Sequence, residues 1–215
     1  MENLYFDAMD VAPSLLDKMD DLRNQQGYMT LHEVMNLTER GNVIFDPFSV
    51  LISRKCQIGS NNYFFPSISL FCGEEAELII ENGNIFYTNT LFSAEKGPIS
   101  IGSGNQFGEG GFYAKANREG SNIRIGNNGR YLGGASVYGD SELGSGSQLL
   151  GGVSVDNCRL EEGESYRHPD PNVRAGLLKG YGPAKDLLVP RGSVIMAKNG
   201  SFSIDNLQNQ SLSHR

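Results

Sequence analysis

From Ile125 onward every sixth residue is large and apolar: Ile125, Tyr131, Val137, Leu143, Leu149 and Val155. Four positions after each stand Gly129, Ala135, Ser141, Ser147, Val153 and Arg159, all but the last small or β-branched. A helix returns to one face every 3.6 residues or so and a flat strand alternates every two, so a strict period of six fits neither. It fits a chain that turns a corner once per hexad. Three hexads then close a coil of about 18 residues, and coils stack as parallel strands roughly 4.8 Å apart.

The same phase recurs upstream in Ile101, Phe107 and Tyr113, in Ile80, Phe86 and Phe92, and in Ile58, Phe64 and Leu70. It fails at Glu119, so AKANREGSN, residues 114–122, reads as a loop extruded from one corner. The five triplets open alike, on IGSNN, IENGN, IGSGN, IGNNG and LGSGS. Their apolar members, Phe64, Phe86, Phe92, Phe107, Tyr113 and Tyr131 included, are expected to point inward as core. Asn62, Asn84 and Asn105 each fall four after the first inward residue of a triplet. They suit either an amide ladder along one corner or simple turn chemistry. The stretch ELGSGSQLLGGVS, which looks like a linker, is on this reading the most regular coil. The glycine runs FGEGG and YLGGAS lack the Lys and Ser/Thr of a phosphate loop and have a sufficient reason in corners that need positive φ.

The flanks differ. PSLLDKMDDLRNQQG has Pro13 and Ser14 at a helix start, Leu15, Leu16, Met19 and Leu22 at helical spacing and Gly27 at its end; TLHEVMNLTERG sets Thr30 and Glu33 as a capping box and stops at Gly41. The expected organisation is a helical segment over 1–42, repeats over 43–160 with a partial coil from Val43 to Ile52, a cap over 161–204 and a loose tail over 205–215. The opening ENLYF matches most of a protease-tag recognition sequence, with Asp7 where glutamine would stand, so no function is drawn from residues 1–10.

Hydrophobic residues make up 39% and charged residues 20%, enough apolar area for a folded core. The net charge of −7 argues against a nucleic-acid partner, whose backbone is bound by Lys and Arg displacing counterions. Cys56, Cys72 and Cys158 form no CxxC pair and suggest neither a disulfide framework nor a zinc site. With no apolar run long enough to span a bilayer, the expectation is a soluble, cytoplasmic protein without a membrane partner.

The spacing over Ile58–Val155 resembles the hexapeptide-repeat superfamily. The resemblance implies an all-β fold, the left-handed parallel β-helix, here of about five coils with short N-terminal helices and a C-terminal cap. Handedness comes from the resemblance alone, since parallel crossovers ordinarily turn the other way. Acyltransferases, γ-class carbonic anhydrases and non-catalytic relatives such as the small dynactin subunits share this architecture, and it is commonly trimeric, which implies a homo-oligomer. GPISIGSGN, an extruded loop and then IRIGNNG are more similar to the anhydrase-like and dynactin-like branches.

The resemblance also implies chemistry that these residues support unevenly. Superfamily acyltransferases use a coil histidine as general base, and the γ-class zinc site needs three imidazoles; no histidine lies between Ile58 and Val155. No metal site is therefore expected, and a zinc-dependent anhydrase is close to excluded. His168, with Asp170 two residues on, is the candidate for a non-standard base, beside the plainer reading of a solvent-facing loop residue. Lys115, Asn117, Arg118 and Arg124 are candidates for holding the phosphates of an acyl-CoA, or equally for a subunit contact. Glu109, Asp140, Glu142 and Asp156 read as solubilising acids. Three functions follow: an acyltransferase acting on a small hydroxyl or amino acceptor with an acyl-CoA donor, a non-catalytic oligomeric scaffold, or a binder of a small anion or sugar nucleotide.

Overall fold

Residues 14–212 are described in the computed structural model. Their strands join in three sheets whose neighbours are one coil apart in sequence, which is the topology of a three-sided parallel β-helix. The first face has nine strands, eight parallel and a last antiparallel one; the second and third have seven each, all parallel. The parallel β-helix expected from the repeat is thus the observed architecture.

Each face presents one column inward. On the first lie Ile44, Phe64, Phe86, Phe107, Tyr131, Leu149, Leu178 and Ile195, paired in that order. On the second lie Ile52, Leu70, Phe92, Ala114, Val137, Val155 and Ala184, and on the third Ile58, Ile80, Ile101, Ile125, Leu143, Leu160 and Val189. The five triplets occupy consecutive coils, and the stack continues past both their ends. The boundary expected at 160 falls inside it, because strands Leu177–Lys179, Gly182–Lys185 and Leu188–Val189 carry the three faces on. Their phase was hidden by the long insertion between Leu160 and Leu178, where other coils take six residues.

One expected inward residue is corrected. Tyr113 points out and is 41% exposed, while Ala114 holds the column between Phe92 and Val137. Seven residues, not six, separate Phe107 from Ala114. The extra one is absorbed at a corner where Gly108, Glu109, Gly110 and Gly111 all have positive φ. The expected loop shortens accordingly, since Phe112–Ala116 is a strand and only 117–121 leave the coil.

The inner columns pack as stacked rings. Phe64–Phe86, Phe86–Phe107 and Phe107–Tyr131 lie 5.0, 5.2 and 5.3 Å apart with nearly parallel planes, and Phe92 meets Phe86 and Phe107 edge-on. The asparagines form the amide ladder. Asn42, Asn62 and Asn84 each accept, through Oδ1, the backbone N–H of the next asparagine at 2.9 Å, and Asn105 accepts that of Gly129 at 2.7 Å. All four are buried, so each bond satisfies groups that water does not reach.

The N-terminal segment forms α1 (Leu15–Gln25) and α2 (Leu31–Asn36), followed by a 3₁₀ turn that ends at Gly41. Both carry capping boxes, Ser14 with Asp17 and Thr30 with Glu33. α1 docks unlike an ordinary amphipathic helix. Its Leu15 and Leu22 are 74% and 62% exposed, while Arg23 is buried and donates to the carbonyls of Pro47, Phe48 and Val50 at 3.0–3.2 Å. Burial pushes the Arg23 guanidinium below its usual range, against the raising effect of Asp20. At the other end, 205–212 is ordered rather than loose: Leu207–Asn209 pairs antiparallel with Ser193–Ile195, and Gln210 is buried. The protease-tag match at ENLYF lies outside the described residues.

The corner between the first and second faces is a column of close backbone approaches. A Cβ on Gly151, at φ +106°, would stand 2.1 Å from the Gly180 carbonyl oxygen, whereas one on the next residue, Gly152, meets nothing closer than 3.8 Å. Gly151→Ala is expected to destabilise the fold by about 3 kcal/mol or more and Gly152→Ala by under about 1 kcal/mol. Urea unfolding of the two variants side by side checks this; equal losses would show that the corner is not so tightly built.

Candidate functional site

The residues expected to cradle phosphate do not converge. Lys115 points outward from the second face, in register with Ser93 and Tyr138; Arg124 points outward from the third, in register with Ser100 and Glu142; Asn117 and Arg118 are exposed between them. Two of the cations are already paired. Arg118 donates through two nitrogens to Asp156, which holds its guanidinium above the usual value, and Arg124 Nη2 lies 3.3 Å from Glu142 and 3.8 Å from Asp140. Three of the four acids read as solubilising, Asp140, Glu142 and Asp156, are therefore the partners of these arginines. Such half-exposed surface pairs contribute little stability, about 0–1 kcal/mol, but they neutralise the cluster.

His168 and Asp170 lie close together without forming a catalytic pair. The Asp170 carboxylate accepts from the backbone and side-chain amides of Asn172 at 2.9 Å, capping a short 3₁₀ turn, Pro171–Val173. The imidazole meets the Asp170 backbone instead: Nδ1 accepts from its N–H at 3.2 Å. Proline at 171 needs a capped start, and Asp170 is the side chain placed to supply it. His32 is exposed on α2.

A site that sequence reading missed is built by the insertion carrying His168. Residues 161–174 fold back over the outer side of the first face, where Tyr166 meets Arg130, and are braced internally where Arg174 Nε and Nη2 donate to the His168 carbonyl at 2.8 and 2.5 Å. The Tyr166 ring lies between Arg130 and Arg167, each guanidinium about 5 Å from the ring centre (4.9 and 5.2 Å). On one side of Tyr166 a cleft of about 330 Å³ is lined by Gln106, Asn128, Ser145, Glu164, Ser165 and Arg167. On the other a hollow of about 180 Å³ takes Arg130, Arg174 and Lys179. Arg130 was visible in sequence only as a neighbour of the corner loop. Its neighbours in the site, Tyr166, Arg174 and Lys179, lie far along the chain, and the signal that joins them is register, since Arg130 aligns with Gln148 and Gln148 with Leu177, and Leu150 with Lys179.

The cysteines offer no ready nucleophile. Cys56, Cys72 and Cys158 are free and buried, and burial pushes all three thiols up, Cys56 to about 12. Among the described residues no three His, Cys, Asp or Glu side chains gather in a metal-binding arrangement, and no helix is long and apolar enough to cross a membrane.

By its repeat and its three sheets the chain is a hexapeptide-repeat parallel β-helix protein. No family model and no curated protein matches it. Among solved structures it is similar to the UDP-N-acetylglucosamine acyltransferase of Francisella novicida, at 15% identity over 72% of this chain and 67% of that one, with a TM-score of 0.40. It is also similar to LpxA of Acinetobacter baumannii, at 13% identity over 75% of this chain and 71% of that one, with a TM-score of 0.32.

Raised thiol pKa values and burial together predict that Ellman's reagent at pH 8 labels none of the three cysteines in the native protein within minutes and all three after denaturation. Fast labelling of one cysteine in the folded state would contradict the burial described here.

Proposed function

We propose that this protein acts as a self-associating β-helix platform, in which copies of the chain meet through apolar surface that one chain leaves open. The observation that carries the reading is the outer side of the first face near its N-terminal end. Val43, Tyr63 and Ile85 share one outward row there, and Phe45, Phe65 and Tyr87 flank the inward column on its other side. Phe45 and Phe65 lie 4.6 Å apart and Phe65 and Tyr87 5.2 Å, and Phe45 is 55% exposed. Flat apolar patches of this kind ordinarily mark contact surfaces, and closed symmetry brings the same patch of each copy together. The exposed leucines of α1 add a second surface of the same character.

Sedimentation velocity of the full chain is expected to give one species at a multiple of 23.5 kDa. Phe45→Lys with Tyr63→Lys, two exposed positions whose change spares the core, is expected to shift it to monomer with an unchanged circular dichroism spectrum. A wild-type chain that stays monomeric at high micromolar concentration would overturn the reading.

Acyl transfer from an acyl-CoA, the activity implied by the resemblance, rests on a different observation, the half-exposed His168, which follows the cleft-lining Arg167 in the chain. Its imidazole would take the acceptor's proton without help from the Asp170 carboxylate. Titration with acetyl-CoA separates the two readings: saturable binding, with turnover lost in His168→Ala, supports transfer, and no saturation at millimolar donor removes it.

A further inference from the structure

The hollow beneath Tyr166 combines three cations, an unpartnered buried guanidinium N–H and an apolar floor. Arg130, Arg174 and Lys179 line it, and no carboxylate does, in a chain whose acids outnumber its Lys and Arg by 25 to 18. Elsewhere on the surface Arg54, Lys55, Arg118 and Arg124 each have a carboxylate within 4 Å. Arg130 instead stacks on the Tyr166 ring, and its Nε is buried with no hydrogen-bond partner among the described residues. A buried guanidinium N–H without an acceptor is costly, and natural folds retain such groups where an anion can offset the cost.

The other walls are apolar. Leu177 and Val194 are buried, and Leu150 and Met196 half-buried, along the floor between the cations. Bare inorganic phosphate would leave that floor uncovered, whereas a short hydrocarbon or aromatic body would pack on it. The volume of about 180 Å³ is below the roughly 300–1,000 Å³ of pockets for drug-sized molecules, so the occupant has few atoms.

We propose that this hollow is a binding site for a small organic anion, with a carboxylate head held between Arg130, Arg174 and Lys179 and a short apolar body lying on Leu177 and Val194. The planar guanidinium matches a carboxylate through paired N–H groups, while Lys179 at the exposed rim supplies a point charge. Because the site sits on the C-terminal half of the first face, it does not depend on how copies of the chain associate through the N-terminal half.

Isothermal titration of the full chain with benzoate tests it, with neutral benzamide and inorganic phosphate as comparison probes. Benzoate is expected to saturate, and benzamide and phosphate each to bind about tenfold more weakly or worse, the size of one lost charge-assisted contact. Arg130→Lys keeps the charge but loses the fork, and Lys179→Gln removes a charge at an exposed position that tolerates change. Each is expected to weaken benzoate about five- to tenfold. Lys185→Gln, on the second face, should change nothing. If Arg130→Lys fails to fold, Lys179→Gln decides alone. Benzoate that does not saturate at tens of millimolar, benzamide or phosphate binding as tightly as benzoate, or full affinity in Lys179→Gln would each overturn the proposal.

Discussion

Vertical register, one side chain directly above its counterpart in the coil below, is the constraint on which the rest of the structure depends. Hydrogen bonds between coils set the spacing near that of ordinary sheets, and that spacing suits stacked rings and stacked amides alike. Phe64, Phe86, Phe107 and Tyr131 use it in the core, and Asn42, Asn62, Asn84 and Asn105 use it at a corner. A slip of one residue would turn every later inward side chain to solvent. The extra residue between Phe107 and Ala114 must therefore be lost within a single turn, and four consecutive positive-φ residues lose it there.

The ring stack and the amide ladder meet at Tyr131. Its hydroxyl extends past the position a phenylalanine would fill and hydrogen-bonds Ser147 at 3.0 Å, inside the corner where the next ladder member would stand. Gly129 occupies that ladder position because a Cβ there would lie 2.1 Å from the tyrosine oxygen. Burial pushes the Tyr131 hydroxyl well above its usual pKa, so it stays a neutral donor or acceptor. The end of the ladder and the change from phenylalanine to tyrosine are one substitution written at two positions.

Much of this was legible in the sequence because register is a property of spacing. The hexads predicted the inward columns from Ile58 to Val155 with one exception, and Ser14 and the Thr30–Glu33 capping box predicted the helix starts. What was not legible depended on length variation. The glycine corner at 108–111 hid the shift that turns Tyr113 outward, and the insertion after Leu160 hid the coils beyond it. The candidate sites were less legible still. Lys115, Arg118 and Arg124 are close in sequence, yet the coil sends them to different faces and pairs the arginines with acids. Arg130, Arg174 and Lys179 are distant in sequence and come together only when coils stack and a loop folds back. Asp170 looked like an orienting partner for His168, but the turn it begins claims its carboxylate first.

The ends of the stack have a consequence of their own. Before the first strand of the second face, Tyr28 bridges Ser53 in antiparallel sense, with Met29 N–H donating to the Ile52 carbonyl, while Arg23 takes up carbonyls of the corner beside it. The last strand of the first face, Leu207–Asn209, also runs antiparallel. A repeat that templates its own next copy is in principle a fibre, able to add coils from any chain presenting the same hexads. Reversing the direction of the chain on one face at each end offers an incoming coil the wrong polarity there, and so works against growth of the stack.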